Sequence, residues 1–235
     1  MNTGKSVAIV QSNYIPWKGY FDLIRSVDEF VLLDDVQFTK RDWRNRNKIK
    51  TSTGVKWLTI PVKVKGRFCQ PINETEVVDG SWADSHWSKL SQTYRHASYY
   101  NDYSSRIEAI YEKASKLDLL SDINELFIKA FCQFLSVDTR IRRSSEFDLE
   151  EGKNNRLIGI CKDIGAQNYM SGPNAKGYID AELFAMNGIS VEWKSYDRYL
   201  SYRQLYDGFI HEVSLLDVIF CCGPYSKDMI FQRGV

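Results

Sequence analysis

The sequence predicts an α/β fold built on a parallel β-sheet with a helical insertion. Residues 7–11 (VAIVQ) and 29–35 (EFVLLDD) are apolar on both faces, which is typical of central parallel strands covered by helices on both sides. The intervening YFDLIRSV has helical periodicity, so the first 35 residues predict a right-handed βαβ unit with the two strands as neighbours.

After this unit the chain becomes polar and basic over residues 36–50, which predicts a long connection, and residues 55–64 alternate like a half-buried strand. Apolar residues then recur at three- and four-residue spacing through about 82–96, 102–117 and 121–135, which predicts three helices. We expect this helical subdomain, roughly residues 81–136, to pack beside the sheet.

Strand and helix patterns alternate again in the C-terminal part of the chain. The runs TRIRRSSEF, NYMSG and SVEWKSYD are strand-like, and the helical patterns NNRLIGICKDIGA and AELFAMNG between them end near Gly165 and Gly188. The last segment, YRQLYDGFIHEVSLLDVIFCCG, predicts a helix that covers one face of the sheet.

Length and composition indicate one globular domain, residues 1–235. The chain is 43% hydrophobic, and no uninterrupted apolar run reaches the roughly 18 residues of a membrane span. The N-terminal residues carry no cleavage-type signal, so we expect a cytoplasmic protein without membrane insertion. Thirty-one basic and 30 acidic residues give a formal net charge of +1, which argues against a nucleic-acid partner. The sequence does not indicate the oligomeric state.

The cysteines and histidines lack the spacing of a metal site. The five cysteines form no C-x-x-C pair, and we expect reduced thiols at Cys69, Cys132, Cys161, Cys221 and Cys222. The three histidines form no H-x-x-x-H or H-E-x-x-H arrangement; they are His86, His96 and His211. We therefore predict no metal ligands, and the identity of any cofactor stays open.

Polar and aromatic side chains follow three of the predicted strands. Because the carboxyl ends of parallel strands meet at one edge of a sheet, we expect these segments to line a single cleft. The first segment contributes Gln11, Asn13, Tyr14, Trp17, Gly19 and Tyr20, the second Asp34, Asp35 and Gln37, and the third Tyr169, Ser171, Gly172 and Asn174.

A glycine at the start of a helix lets a phosphate approach the backbone, which is the functional interpretation of Gly19. Its neighbours Tyr14, Trp17 and Tyr20 offer ring faces for a base or a sugar. The alternative is a tight turn packed by aromatic rings, because neither a P-loop nor a G-x-G-x-x-G motif is present.

Asp34 and Asp35 end the second predicted strand, and the pleat directs their side chains to opposite faces. A carboxylate directed into the cleft is suited to bind Mg²⁺, to orient an amine or to act as a general base. The alternative is capping of the following loop. His86 is a further candidate base, and its alternative is to cap or pack its own helix.

Residues 40–50 have the composition of a phosphate clamp with a stacking ring, because Lys and Arg side chains bind phosphate oxygens and Trp43 stands among them. RNA binding uses the same residue types, and a solvated arm is the structural alternative. The candidate phosphate ligands are Lys40, Arg41, Arg44, Asn45 and Arg46.

The segments QSNYIPWKGYFDLI, LLDDVQFTKRDWRNRNKIK, WLTIPVK and NYMSGPNAKGYID resemble the WbqC-like protein family across essentially the whole chain. The resemblance implies a role in bacterial O-antigen (lipopolysaccharide) or other surface-polysaccharide biosynthesis. A weaker resemblance to HIGH-type nucleotidyltransferases implies a Rossmann-like (HUP-type) sheet. At the position of the HxGH motif this chain has Trp17, Lys18, Gly19 and Tyr20, so both histidines are missing.

These resemblances and residues lead us to expect a sugar-nucleotide-modifying enzyme, a transferase that adds an aminoacyl group such as glycyl, or another acyl group, to an amino sugar. Its partners would be a nucleotide-linked amino sugar and an activated acyl or aminoacyl donor, and an aminoacyl-tRNA donor stays open. The basic run would hold the diphosphate, and Asp34 or Asp35 would deprotonate the amine. The alternatives are a non-catalytic nucleotide or sugar-nucleotide binding module and an ATP-dependent adenylating ligase.

Overall fold

The computed structural model describes residues 4–197 and 199–231. A five-stranded parallel sheet forms its centre, with the strand order β5-β2-β1-β6-β7. These strands are β1 (Ser6–Val10), β2 (Glu29–Leu32), β5 (Arg140–Arg143), β6 (Asn168–Ser171) and β7 (Ser190–Trp193). The parallel sheet flanked by helices confirms the predicted Rossmann-like α/β fold.

Strands β1 and β2 are parallel neighbours, as predicted, with Val7 opposite Glu29 and Val10 opposite Leu32. Helix α1 (Lys18–Arg25) joins them. Alternate side chains enter different cores, since Ala8 packs in one hydrophobic cluster and Val7 in the other. Burial on both faces explains why these strands are continuously apolar in the sequence.

The larger core joins one face of the sheet to three long helices, α2 (Ser81–Tyr94), α3 (Tyr100–Ala114) and α4 (Leu120–Leu135). Helices α7 (Leu215–Cys222) and α8 (Ser226–Phe231) pack against the same core. Helices α5 (Lys153–Ile164) and α6 (Ala181–Met186) cover the other face. Within the described residues, no helix combines the length and apolar character needed to cross a membrane.

The basic stretch predicted as a connection is a loop in its first two-thirds and a strand in its last third. Residues 46–51 form β3 (Arg46–Thr51), which pairs with β4 (Gly54–Thr59) in an antiparallel hairpin, with Lys48 opposite Trp57. Asn47 and Ile49 are buried, whereas Arg46 and Lys48 are half-buried. The prediction was wrong here because a buried asparagine and a run of cations hide the strand alternation.

The predicted C-terminal helix is also shorter than expected. It begins only at Leu215, after Ser214, whose hydroxyl accepts a hydrogen bond from the Leu216 amide. Residues 199–213 instead form an irregular segment, here called the strap, in which Gly208 has a φ of 71°. Tertiary hydrogen bonds hold the strap: Lys50 Nζ donates to Gln204 and to the carbonyls of Tyr206 and Gly208. These bonds override the helical periodicity.

Candidate functional site

Two cavities open at the carboxyl edge of the sheet. The strand order reverses between β1 and β6, and ligands of open parallel sheets bind at such a switch point. A cavity of about 210 Å³ lies there; this switch-point cavity is lined by Asn13, Pro16, Trp17, Trp43, Asn47, Asn174 and Glu212. A wider depression at the opposite edge, near Ser6 and Asn168, lies at the amino ends of the strands, where this rule does not place ligands.

The second cavity, also about 210 Å³, lies at the carboxyl ends of β2 and β5. We call it the carboxylate cavity; it is lined by Leu32, Asp34, Asp35, Asn73, Leu119, Ser121, Arg143, Ser144 and Ser145. Since β2 and β6 flank β1, these two strand ends are two strand spacings, or about 10 Å, apart. The cavities are therefore neighbours on one edge.

A wall of hydrogen bonds separates the two cavities, so the predicted single cleft is divided. The Ser12 amide donates to Asp34 Oδ1 at 2.8 Å. Asn124 Nδ2 donates to Ser12 Oγ at 3.0 Å and to the Arg44 carbonyl at 2.9 Å. These bonds fix the end of β1 to the end of β2 and to the basic loop.

The loop after β1 holds a strained backbone that positions the switch-point residues. Ile15 has a φ of 37°, in the left-handed region that β-branched residues avoid. Asn47 Nδ2 donates to the carbonyls of Tyr14 and Ile15 at 3.1 and 2.9 Å. The buried asparagine thus stabilises the turn that brings Asn13 and Trp17 to the cavity.

Of the three aromatic residues after β1 that are predicted to offer ring faces for a base or a sugar, only Trp17 lines either cavity. Tyr14 is fully buried, and its hydroxyl lies 2.8 Å from both His86 Nδ1 and the Tyr111 hydroxyl. Tyr20 is also buried and donates to the Gln11 carbonyl at 3.1 Å. These two tyrosines stabilise the core beneath the loop.

Gly19 is explained by packing. A Cβ atom at this position would lie 2.3 Å from the Trp17 ring, so the glycine allows the indole to fold back over the first turn of α1. This contact favours the tight-turn alternative, in which the glycine accommodates an aromatic ring.

His86 lies in α2, lines neither cavity and is only 4% exposed. Burial lowers its pKa to about 4, and the positive charge of Lys89 acts in the same direction. The neutral ring, bonded to Tyr14, favours the structural alternative for this residue.

Asp34 and Asp35 both line the carboxylate cavity, and they differ in their surroundings. Burial raises the pKa of Asp34, although the Ser12 hydrogen bonds and the Arg44 charge oppose this shift. Asp35 is more exposed; its Oδ1 accepts from Asn73 Nδ2 at 2.9 Å, and its Oδ2 accepts from the Ser144 hydroxyl. Asp34 therefore secures the loop, whereas Asp35 is the more accessible carboxylate.

The predicted phosphate clamp is divided between an inner and an outer part. Arg44 turns inward and donates to Asn13 Oδ1 beside the switch-point cavity. Lys40 and Arg41 are exposed, and Arg46 packs over the Trp57 ring at 4.1 Å. The last clamp residue is buried: Asn45 Nδ2 donates to the Ile60 carbonyl at 2.8 Å.

The third predicted segment contributes one side chain to a cavity, that of Asn174. Tyr169 is buried against Phe184, and its hydroxyl donates to Ser171, which is buried as well. Gly172 precedes the 3₁₀ turn that carries Asn174. The other two candidates lie outside both cavities: the Gln11 carbonyl accepts from Tyr20, and exposed Gln37 donates to the Phe68 carbonyl.

Several cavity residues were not identified from the sequence. Arg143 ends the strand TRIRR and Ser144 follows it, so the carboxyl-end rule that selected the other segments would have found them. Asn47, Asn73 and Glu212 carry no comparable signal, because distant parts of the chain bring them to the edge. Among the residues described, no group of three or more His, Cys, Asp or Glu side chains could hold a metal ion.

Comparisons with known proteins agree with the sequence resemblance. The uncharacterized protein Rv1507c of Mycobacterium tuberculosis (strain ATCC 25618 / H37Rv) is 46% identical over 228 residues, which cover 96% of this chain and 97% of that protein. No solved structure matches the chain significantly. The model of the WbqC-like protein family matches residues 11–229, and it supports a function related to polysaccharide biosynthesis. The chain belongs to the WbqC-like protein family.

Proposed function

We propose that the protein is a cytoplasmic enzyme of O-antigen or related surface-polysaccharide biosynthesis that acylates the amine of a nucleotide-linked amino sugar. The observation that carries this proposal is the pairing of two neighbouring cavities on one sheet edge. One is lined by two tryptophan rings and Glu212 and is bordered by cations, and the other is lined by two aspartates and Arg143. Family membership supports the polysaccharide setting.

The switch-point cavity suits the nucleotide. Trp17 and Trp43 offer ring faces for a base, and such stacking contributes about 1–3 kcal/mol per base. Arg44 lies beside Asn13, and Lys48 Nζ lies 5.2 Å from the centroid of the Trp43 ring. Both cations are therefore placed to bind the diphosphate.

The carboxylate cavity suits the amine. An ammonium group entering it meets Asp35, and transfer of its proton to that carboxylate yields the neutral nucleophile. The amine nitrogen then attacks the carbonyl of an activated acyl or aminoacyl donor, the carbon–nitrogen bond forms, and the leaving group departs with its electron pair and takes up the second proton of that nitrogen. Asp35 returns the first proton to solvent. Glycyl is the smallest aminoacyl group of this class.

Two measurements test the proposal. Calorimetry measures the affinity for UDP-linked and dTDP-linked amino hexoses. Mass spectrometry detects the acylated sugar after incubation with acyl thioesters or aminoacyl esters as donors. Asp35→Asn should keep the Kd within about twofold and lower turnover by about 100-fold or more. Arg44→Ala should weaken binding about tenfold, or about 1.4 kcal/mol. Asp84→Asn, an exposed site on α2, is the matched control for loss of a carboxylate.

Binding without turnover for any donor would identify a non-catalytic binding module. Pyrophosphate release from ATP and a carboxylic acid would identify an adenylating ligase. No affinity for any nucleotide-linked sugar would contradict the proposal.

A further inference from the structure

The formal net charge of +1 conceals a strong separation of charge along the chain. Residues 40–67 contain ten Lys and Arg residues and one acidic residue, Asp42. The whole chain has 31 basic and 30 acidic residues, which leaves 21 basic and 29 acidic residues elsewhere. The basic segment comprises the end of the loop after β2, the β3–β4 hairpin and the loop that follows it.

Cations and rings of this segment, together with the adjoining Phe68, form a continuous row, which we call the basic–aromatic track. At its outer end, Lys40 Nζ lies 5.6 Å from the centroid of the Phe68 ring. Arg46 donates to the carbonyl of Arg41, next to Lys40, and its guanidinium lies 4.1 Å from the centroid of the Trp57 ring.

The inner end of the track reaches the switch-point cavity. The rings of Trp57 and Trp43 are 5.3 Å apart, and Lys48 Nζ lies within 5.4 Å of both ring centroids. Trp43 also lines that cavity. The track therefore comprises Phe68, Lys40, Arg41, Arg46, Trp57, Lys48 and Trp43.

Much of the track is available to a partner. Phe68 is 74% exposed and Trp57 is 40% exposed, whereas rings that serve only packing are covered. In the described ranges, no carboxylate lies within 4.0 Å of the side-chain nitrogens of Lys40, Arg41 or Arg46. Unpaired cations interleaved with exposed rings can neutralise phosphates and stack bases at the same time.

We propose that the basic–aromatic track binds the single-stranded end of an RNA, and that this RNA carries the aminoacyl donor. An anionic membrane would also attract the cations. We favour RNA because the Arg46 guanidinium lies over one face of the Trp57 ring. A base that stacks on this ring therefore brings its phosphate close to the guanidinium. The track also ends at Trp43, on the rim of the switch-point cavity, where the terminus of an RNA held along it lies next to the bound sugar nucleotide and a flat bilayer surface does not reach.

The identity of the RNA as an aminoacyl donor rests on the proposed function. The acyl group would be an ester of the terminal ribose. The sugar amine attacks the ester carbonyl, the carbon–nitrogen bond forms, and the carbon–oxygen bond to the ribose breaks. The proton leaves the amine through Asp35 and ends on the ribose oxygen, so no oxidant or ATP is needed. RNA binding itself is independent of this step.

The test is a fluorescence-anisotropy titration of labelled, deacylated bulk tRNA with the full chain. If the four track cations each neutralise one phosphate, a plot of the logarithm of the association constant against the logarithm of the salt concentration should have a slope of about −2.8. Lys40→Glu/Arg41→Glu should weaken binding about tenfold or more and reduce the slope to about −1.4. Trp57→Ala should weaken binding about tenfold through lost stacking.

The control is Lys113→Glu/Lys116→Glu, which makes the same change in net charge at exposed positions at the end of α3 and just beyond it. It should keep the tRNA affinity within about twofold. Melting curves verify that every variant folds.

Equal weakening by both charge-reversal pairs, or no saturable binding of tRNA at low salt, would overturn the proposal. The protein would instead bind a membrane through this surface if its affinity for phosphatidylglycerol vesicles, measured by sedimentation, exceeds its affinity for tRNA and is lost in Lys40→Glu/Arg41→Glu. The two proposals fail separately, since tRNA affinity tests the track and calorimetry with the sugar nucleotide tests the cavity.

Discussion

Several side chains that the sequence indicates as binding or catalytic candidates instead stabilise the hydrophobic core beneath the site. Tyr14 and His86 have the chemistry of binding and catalytic residues, yet they bond to each other inside the larger core. A buried polar pair of this kind costs little as long as both members remain neutral and hydrogen-bonded.

The buried histidine should make stability depend on pH. Its pKa is about 4 in the folded protein, below the usual 6.5, so the unfolded chain binds the proton first as the pH falls. The stability contributed by neutral His86 is complete above pH 6.5 and is lost between pH 6.5 and 4, by at most about 3 kcal/mol. Urea unfolding at pH 7 and pH 4 measures this loss, and His86→Asn should lack it; identical pH profiles for the two proteins would contradict the assignment.

The contact between Trp17 and Gly19 should appear as energetic coupling. Gly19→Ala places a Cβ atom 2.3 Å from the indole and should destabilise the protein by about 1–3 kcal/mol, although alanine is the better helix former. In the background of Trp17→Ala the same substitution should be neutral or stabilising. A double-mutant cycle by thermal unfolding measures the coupling, and additive effects would show that the two residues act independently.

At the scale of elements, the β3–β4 hairpin connects the sheet edge to the C-terminal strap. Ser214, which follows the strap and caps α7, donates its amide N–H to the Lys48 carbonyl at 2.9 Å. Lys50 is 3% exposed, and its ammonium binds three strap residues. The hairpin is thus anchored at one end while its exposed cations and Trp57 lie on the surface.

Removal of the buried ammonium should release the strap. Lys50→Met leaves the carbonyls of Tyr206 and Gly208 without their donor, and we expect a loss of about 3 kcal/mol in the free energy of unfolding. Hydrogen exchange should accelerate in residues 199–213 more than in the sheet. Lys56→Met, an exposed lysine of the same hairpin, should change stability by less than about 0.5 kcal/mol. Uniform acceleration across the sheet and the strap would argue against a local anchor.

At the scale of the whole molecule, both cavities lie at the carboxyl edge of the sheet, and the excess positive charge lies in the basic segment, residues 40–67. The parallel strands direct their carboxyl ends the same way, and the reversal of order beside β1 leaves room for a cavity. The compact basic segment compensates an acidic remainder, so the formal charge of the chain is close to zero. A near-zero total charge therefore does not describe the local field at the track.

The sequence by itself determined the parts of the fold that depend on local patterns. Continuous apolar runs identified β1 and β2 as buried parallel neighbours, and helical periodicity located α2, α3 and α4 within a few residues. It also located Asn13, Trp17, Asp34, Asp35 and Asn174 at a shared edge, because the carboxyl-end rule depends only on strand direction.

Only the tertiary structure decided which of these residues face a cavity. Tyr14 lies in the loop after β1, Tyr20 in α1 and Tyr169 within β6, and all three turn into the cores. For Tyr14, no local pattern distinguishes the inward from the outward direction, because its loop is irregular. The strap and β3 were mispredicted because Lys50 and Asn47 make their bonds to distant segments. Bonds between residues far apart in sequence leave no periodic signal. The bonds that join Ser12 to Asp34 and Asn124 are of the same kind, and they separate one predicted cleft into two cavities.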